Sequence, residues 1–181
     1  MAKLKDGNTQ KVTKFNSKEM FKIFNENNFD DLQGFINKYS INSADRDGRN
    51  LLINCIIENK RDWAIYIIRN YEELDVNSKD RRGWSALHFA VQCNFLDMVK
   101  ELLKNKNIDI NIADNNGNTA LMQAVHNNLR CYEDIIIILL EAGMDINQEN
   151  IHGIRPNEFL MTRVNDYIRK NNIKLIFKDE K

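Results

Sequence analysis

Apolar residues recur along the chain in short runs with helical spacing. Between Ser85 and Cys93 they occupy positions 87, 90 and 91, and between Asp97 and Lys104 they occupy positions 98, 99, 102 and 103. This i, i+1, i+4, i+5 spacing places them on one broad face, so it predicts two short helices joined by a polar turn. Equivalent pairs are predicted before and after this one, from Leu52, Ile56, Trp63, Ala64, Ile67 and Ile68, and from Leu121, Ala124, Ile135, Ile136, Leu139 and Leu140.

Two sequence markers separate the helix pairs with one common period. The first is a glycine within "DRDGRNLL", "DRRGWSAL", "DNNGNTAL" and "NIHGIRPN", and the second is an asparagine at the end of "IN", "DVN", "DIN" and "DIN". Both step by 35, 34 and 36 residues, at Gly48, Gly83, Gly117 and Gly153 and at Asn42, Asn77, Asn111 and Asn147. A single helix pair cannot bury both of its apolar sides, so the units are expected to stack into a solenoid with one continuous core.

The period divides the chain into units. We expect an N-terminal extension at 1–16, an N-terminal capping helix pair at 17–43, three repeats at 44–78, 79–112 and 113–148, a C-terminal capping repeat at 149–172 and a tail at 173–181.

The central units resemble the ankyrin repeat. "DRRGWSALHFA" from Asp80 and "DNNGNTALMQA" from Asp114 match the family's DxxGxTPLH turn and helix, and "LLEAGMDIN" from Leu139 matches its exit. The unit at Asp45 has "NLLI" in place of TPLH, and the last unit keeps Pro156. Over roughly residues 17–170 the resemblance implies an all-α repeat fold, an ankyrin-repeat solenoid of stacked helix-turn-helix units joined by short hairpin turns.

Several residues are expected to serve the fold. Gly48, Gly83, Gly117 and Gly153 suit a positive φ in the hairpin turn, and the carboxylates of Asp45, Asp80 and Asp114 can accept backbone N–H groups there. Gly143 can end a helix in the left-handed conformation, and Asn70 or Asn105 can replace it in the two units that lack it. His88 occupies the histidine position of TPLH, where the resemblance implies a bond to a hairpin turn; the alternative roles are catalysis and metal binding.

Composition narrows the functional classes. The 26 basic and 26 acidic residues cancel, which gives no reason to expect nucleic acid or an anionic membrane as partner. The three cysteines form no disulfide or CxxC pattern, and no apolar run has the length of a signal peptide or a membrane span, so a cytoplasmic protein without metal or cofactor is expected.

The resemblance implies a binding surface made of hairpin tips and first helices. Its contact positions are Arg46, Asp47, Arg49, Ile57 and Glu58 in the first repeat; Arg81, Arg82, Trp84, Gln92 and Cys93 in the second; Asn115, Asn116, Asn118, His126 and Asn127 in the third; and Ile151, His152 and Ile154 in the last unit. Arginine and tryptophan often dominate binding energy. We expect Trp84 to be exposed, so that Trp84→Ala weakens binding with little effect on stability, and the partner protein to carry an acidic patch near an apolar pocket.

The function predicted from these features is a non-catalytic protein-protein interaction module, a monomer on its own, that occludes or scaffolds a partner protein. One specific version is a dedicated inhibitor, such as a bacterial immunity protein that neutralises a toxin, and another is a host-directed effector or scaffold. Two other classes remain: nucleic-acid binding through Arg46, Arg49, Arg81 and Arg82, and an enzyme in which His126, Cys93 or Cys131 act together.

Overall fold

The structure is a computed structural model that describes residues 14–126 and 133–163. Within these ranges the chain is helical and contains no strand. The helices are α1 (Ser17–Glu26), α2 (Phe29–Tyr39), α3 (Leu51–Ile57), α4 (Arg61–Asn70), α5 (Ala86–Gln92), α6 (Leu96–Leu103), α7 (Ala120–His126), α8 (Glu133–Glu141) and α9 (Asn157–Arg163). The all-α repeat architecture predicted from the sequence is confirmed.

Like helices of successive units pack on each other. Helix α5 lies between α3 and α7, and α6 lies between α4 and α8, so first helices form one row and second helices another. A single cluster of buried side chains runs through the stack from Phe15 to Leu160. Phe15 is only 5% exposed and donates its N–H to the Ala44 carbonyl at 3.0 Å.

Short hairpin turns connect the units. Isolated antiparallel bridges join Ala44 to Asn50, Lys79 to Ser85 and Ala113 to Thr119. The tips are linked in turn: Arg81 N–H donates to the Asp47 carbonyl at 2.9 Å, and Asn115 and Ile151 donate to the Arg82 and Asn116 carbonyls at 3.0 and 2.9 Å. The hairpin tips therefore form a continuous row beside the first helices.

The periodic asparagines join the exits of neighbouring units. Asn77 donates from Nδ2 to the Asn107 carbonyl and accepts the Asp109 N–H, both at 2.8 Å. Asn42 and Asn111 accept the N–H groups of Asp75 and Asp145 in the same way, each at 2.8 Å. This explains the second marker of the sequence, because the amide side chain satisfies backbone groups of the following unit.

The ends of the second helices correct one prediction. Gly143 has φ +83°, but neither Asn70 nor Asn105 is left-handed: α4 is followed by Tyr71 at φ −120° and α6 by Lys104 at φ −77°. The left-handed asparagines are Asn27, Asn59 and Asn94, with φ between 52° and 55°, in the turns between paired helices. In these three units the chain reverses sharply between the paired helices, so the conformation that asparagine tolerates is required there.

None of the described helices is long and apolar enough to cross a bilayer.

Candidate protein-binding surface

Each hairpin tip is held by one side chain that accepts two backbone N–H groups. Asp80 Oδ1 accepts from Arg82 and Trp84, both at 2.9 Å, and Asp114 Oδ1 accepts from Asn116 and Asn118, both at 2.8 Å. Asp45 and Asn150 do the same in the first and last tips. The tips share one geometry, so the side chains between the acceptor and the glycine project from an ordered platform.

The glycines close these turns with φ between 72° and 83°. At Gly83 a Cβ atom would lie 2.6 Å from the backbone nitrogen of Asn115, whereas at Gly153 no atom lies within 4 Å of that position. The lack of a side chain therefore also lets successive tips approach each other in the middle of the array.

The residue after each glycine reaches toward the next unit. Arg49 Nε lies 3.9 Å from Asp80 Oδ2, Trp84 Nε1 donates to Asp114 Oδ2 at 3.2 Å, and Asn118 Oδ1 accepts from Asn150 Nδ2 at 2.9 Å. Three of the residues that the resemblance assigns to partner contact thus also join repeats.

Trp84 corrects the expectation of a freely exposed side chain. It is partly buried, its ring stacks on His88 with centroids 6.2 Å apart, and it meets Phe89 edge to face at 5.2 Å. The guanidinium of Arg82 lies 4.4 Å from its ring centroid. Because Trp84 has these packing contacts and a hydrogen bond, its removal is expected to destabilise the fold.

His88 joins the second and third hairpins. Its Nδ1 accepts the Ser85 N–H at 3.2 Å and lies 2.9 Å from Ser85 Oγ, and its Nε2 lies 3.0 Å from the Asn118 carbonyl. A carbonyl only accepts, so Nε2 carries the proton. Burial lowers the pKa of His88, which keeps the ring neutral. Both ring nitrogens are therefore used within the fold, in the hairpin role that the resemblance implies.

One groove collects much of the expected surface from the second repeat onward. It has a volume of about 380 Å³ and is lined by Trp84, Gln92, Asn118, His126, His152 and Ile154, among others. Arg81, Arg82, Asn115 and Asn116 lie at the neighbouring hairpin tips and are exposed. Asn127 lies outside the described residues.

The contact residues of the first repeat lie apart from this groove. Arg46, Asp47, Arg49, Ile57 and Glu58 line a separate depression of about 460 Å³ together with Phe21 of α1. Arg46 and Arg81 also line a third depression, of about 1450 Å³, so the surface implied by the resemblance is divided in the structure among separate concave areas.

Three groove residues were missed by the sequence analysis: Met122, Gln123 and Asn150. Met122 stands where the second repeat has His88, as "TALM" against "SALH" shows. Sequence comparison between repeats could have identified it, because methionine makes no hairpin bond and leaves an apolar wall at this place. Gln123 stands where the second repeat has Phe89, and its Nε2 donates to Gln92 Oε1 at 2.9 Å.

Of the two cysteines in the described residues, only Cys93 belongs to the enzyme alternative, and both have raised thiol pKa values. Cys55 is buried and Cys93 partly buried, both are free, and burial raises the pKa of each thiol. A nucleophilic cysteine needs the opposite shift. Cys131 lies outside the described residues.

Comparison with known proteins agrees with this architecture. A family profile described as ankyrin repeats (3 copies) matches residues 19–114 and 72–150, so the chain belongs to the ankyrin-repeat family. It is 39% identical over 92 residues to a probable serine/threonine-protein kinase of Dictyostelium discoideum, 31% over 78 residues to human ankyrin repeat domain-containing protein 53, and 41% over 91 residues to BTB/POZ domain-containing protein 1 of Schizosaccharomyces pombe.

These matches cover 50%, 42% and 49% of this chain but only 9%, 15% and 7% of the three relatives. The similarity to the kinase-named relative is thus confined to a small part of that protein. Ankyrin repeats are protein-protein interaction modules, and this class is the one that the fold defines.

Proposed function

We propose that this chain binds a partner protein through the surface made by its hairpin tips and the adjoining groove, and that it acts by occluding or scaffolding that partner. The main support is that the arginines at the hairpin tips differ in whether they pair with a carboxylate of this chain. Arg49, Arg82 and Arg46 each lie within 4.0 Å of a carboxylate, in Asp80 or Asp47. Arg81 is exposed, and its guanidinium has no partner among the described residues.

Arg81 supports an acidic partner surface. An exposed guanidinium can form bidentate, charge-assisted bonds with a carboxylate, which supply geometric specificity. Nucleic-acid binding receives less support, because three of the four arginines on which that alternative rests are already near carboxylates of this chain. The proposal also includes a monomer acting in the cytoplasm, where free thiols such as those of Cys55 and Cys93 are usual.

The test is an affinity pulldown from the source cells, read by mass spectrometry. The baits are the wild type, the surface variant Arg81→Glu/Gln92→Trp and the control Lys100→Glu, which makes the same charge change as Arg81→Glu at an exposed site on α6. All three baits should first show similar melting temperatures.

We expect at least one protein to be recovered by the wild type and Lys100→Glu but not by the surface variant. Equal recovery by all three baits would exclude this surface as the binding site. Enrichment of nucleic acid in place of protein, lost in the surface variant and at high salt, would replace the proposal with the nucleic-acid alternative.

A further inference from the structure

The groove beside Trp84 gives the partner a more specific chemistry. We propose that it accepts an apolar side chain from an extended segment of the partner protein, and that an acidic residue of the same segment binds Arg81. This inference rests on the proposed function and deepens it. It also reverses the sequence expectation: this chain supplies the pocket and the partner supplies the inserted side chain.

The apolar wall of the groove is fixed in place. Trp84 is held by Asp114, His88 and Phe89, Met122 is only 1% exposed, and Ile154 packs partly buried against the core. A wall that is already ordered loses little conformational entropy when a ligand binds. The volume of about 380 Å³ falls within the range of ligand pockets and accommodates a large side chain with its backbone.

Most polar groups around the wall are already paired with each other. Gln123 bonds Gln92 at 2.9 Å, and Asn118 accepts from Asn150 at 2.9 Å. The exception is Gln123 Oε1, which is buried without a hydrogen-bond partner among the described residues. Apolar burial therefore provides most of the expected gain.

The hairpin tip beside the groove carries one unpaired positive charge. The Arg82 guanidinium lies 4.4 Å from the Trp84 ring centroid but is paired with Asp80 at 3.3 Å, whereas Arg81, exposed at the same tip, has no carboxylate partner among the described residues. Among the described residues that line the groove, Asp114 is the one carboxylate, and its oxygens accept from Trp84 Nε1 and from the N–H groups of Asn116 and Asn118. An acidic residue on the ligand complements the charge of Arg81, whereas a basic one is repelled by it.

Exposed Ile151 extends the apolar area along the tips. It is 65% exposed and is followed by His152, which lines the groove. The described surface thus has arginines at the second tip and an isoleucine at the last, with the groove beside them. A segment that places its carboxylate at the second tip directs its apolar residues toward the groove and Ile151.

The test is a selection of random 12-residue peptides displayed on phage against the wild-type protein, with Gln92→Trp as the counter-selection bait. Gln92 is exposed on the groove, so a tryptophan there fills the groove without replacing a core residue. Dissociation constants of the labelled consensus peptide are then measured by fluorescence anisotropy with the wild type, Gln92→Trp, Arg81→Glu and Lys100→Glu. Lys100→Glu is the matched control because it makes the same charge change as Arg81→Glu at an exposed site on α6, outside the proposed surface.

We expect a consensus with one large apolar residue and an Asp or Glu close to it. The dissociation constant should rise at least about tenfold with Gln92→Trp and with Arg81→Glu, and stay within about twofold with Lys100→Glu. Replacing the peptide's apolar residue by serine should have an effect similar to that of Gln92→Trp.

Several outcomes would overturn the inference: a basic consensus, a consensus without an apolar residue, no enrichment over the Gln92→Trp bait, or equal effects of Arg81→Glu and Lys100→Glu. Concentration-dependent dimerisation that Gln92→Trp abolishes would assign the groove to a second copy of this chain. If the pulldown still yields a partner that depends on the surface, the proposed function stands while the inference fails; if neither experiment depends on the surface, both fail.

Discussion

The indole of Trp84 contacts two rings and a guanidinium and bonds the aspartate of the next hairpin. A side chain with these contacts does two tasks, because it joins repeats through Nε1 and presents one side to the groove. The same holds for Asn118, which joins its hairpin to Asn150 and also lines the groove. At Trp84 and Asn118, the fold and the proposed binding surface therefore cannot be mutated independently.

Substitutions of Trp84 should separate its hydrogen bond from its packing. Trp84→Phe keeps the stacking but loses the bond to Asp114, and we expect a loss of about 1 kcal/mol in the free energy of unfolding. Trp84→Ala also loses the ring contacts, and we expect the free energy of unfolding to fall by about 2 to 3 kcal/mol. This loss is smaller than for a fully buried tryptophan because Trp84 is only partly buried. Urea unfolding followed by circular dichroism measures both; an alanine variant as stable as the wild type would contradict the inter-repeat role.

A matched pair of glycines tests the close approach of the tips. Gly153→Ala places a side chain at positive φ in open space, so we expect a cost of about 1 kcal/mol. Gly83→Ala adds a clash with the backbone of Asn115, and we expect about 3 kcal/mol in all. Thermal melts of the two variants give the comparison, and equal losses would show that only the dihedral angle matters.

At the scale of elements, the second helices are joined by ion pairs across their exposed side. Arg69 on α4 contacts Glu101 on α6 with two bonds, of 2.6 and 2.9 Å, and Lys104 adds a third at 3.1 Å. Glu101 is buried, and its bonds to Arg69 lower the pKa of its carboxyl to about 2. The carboxylate is therefore held in its charged form by the neighbouring helix.

This lowered pKa predicts a window of pH dependence. The carboxyl has a lower pKa in the folded than in the unfolded state, so its stabilisation is complete above the ordinary value of 4.5 and is lost as the pH falls from there toward 2. At neutral pH Glu101→Gln should cost about 1 to 2 kcal/mol, because Arg69 is largely exposed and solvent screens the pair. The difference from the wild type should shrink below pH 4.5 in urea titrations.

Asp97→Asn provides the control on the same two helices. Asp97 pairs with Arg61 at 3.0 Å, but both side chains are more than two-fifths exposed. We expect a loss of at most about 0.5 kcal/mol. A loss as large as that of Glu101→Gln would contradict the view that burial of Glu101 makes the difference.

At the scale of the molecule, the described helices contact mainly those of adjacent units, and one core passes through the described stack. Stability in such an array is a sum of unit terms and interface terms. A unit in the middle has two interfaces, whereas α9 contacts α7 at one end of the described stack. A cavity in a middle unit should therefore destabilise the units on both of its sides, whereas a cavity in α9 should destabilise one side only.

Hydrogen exchange should show this difference. Leu102→Ala and Leu160→Ala each empty a buried position, 0% and 1% exposed, and each should cost about 3 kcal/mol locally. Leu160→Ala should raise exchange in α9 and the adjoining hairpin only, whereas Leu102→Ala should raise it on both sides of α6. Increased exchange throughout the chain in both variants would indicate a single cooperative unit.

The periodic residues explain why so much of the fold was predictable. Gly48, Gly83 and Gly117 recur because each turn needs a positive φ, and Asn42, Asn77 and Asn111 recur because each accepts a backbone N–H of the following unit. Such requirements are local or pass to the adjacent unit, so they appear as a period in the sequence. Asn70 and Asn105 were assigned wrongly because several asparagines lie near each helix end, and only the path of the chain shows which one is left-handed.

The stack, its period and its family could all be predicted from the sequence. Each follows from the spacing of apolar residues and from residues, such as the turn glycines, that suit one backbone conformation. The tertiary structure decided which tip residues are already engaged with the next repeat. Arg49 and Arg81 are both arginines at a hairpin tip, yet Arg49 faces Asp80 and Arg81 is exposed. That distinction depends on the distance between side chains some thirty residues apart, and only the packing of one repeat on the next sets it.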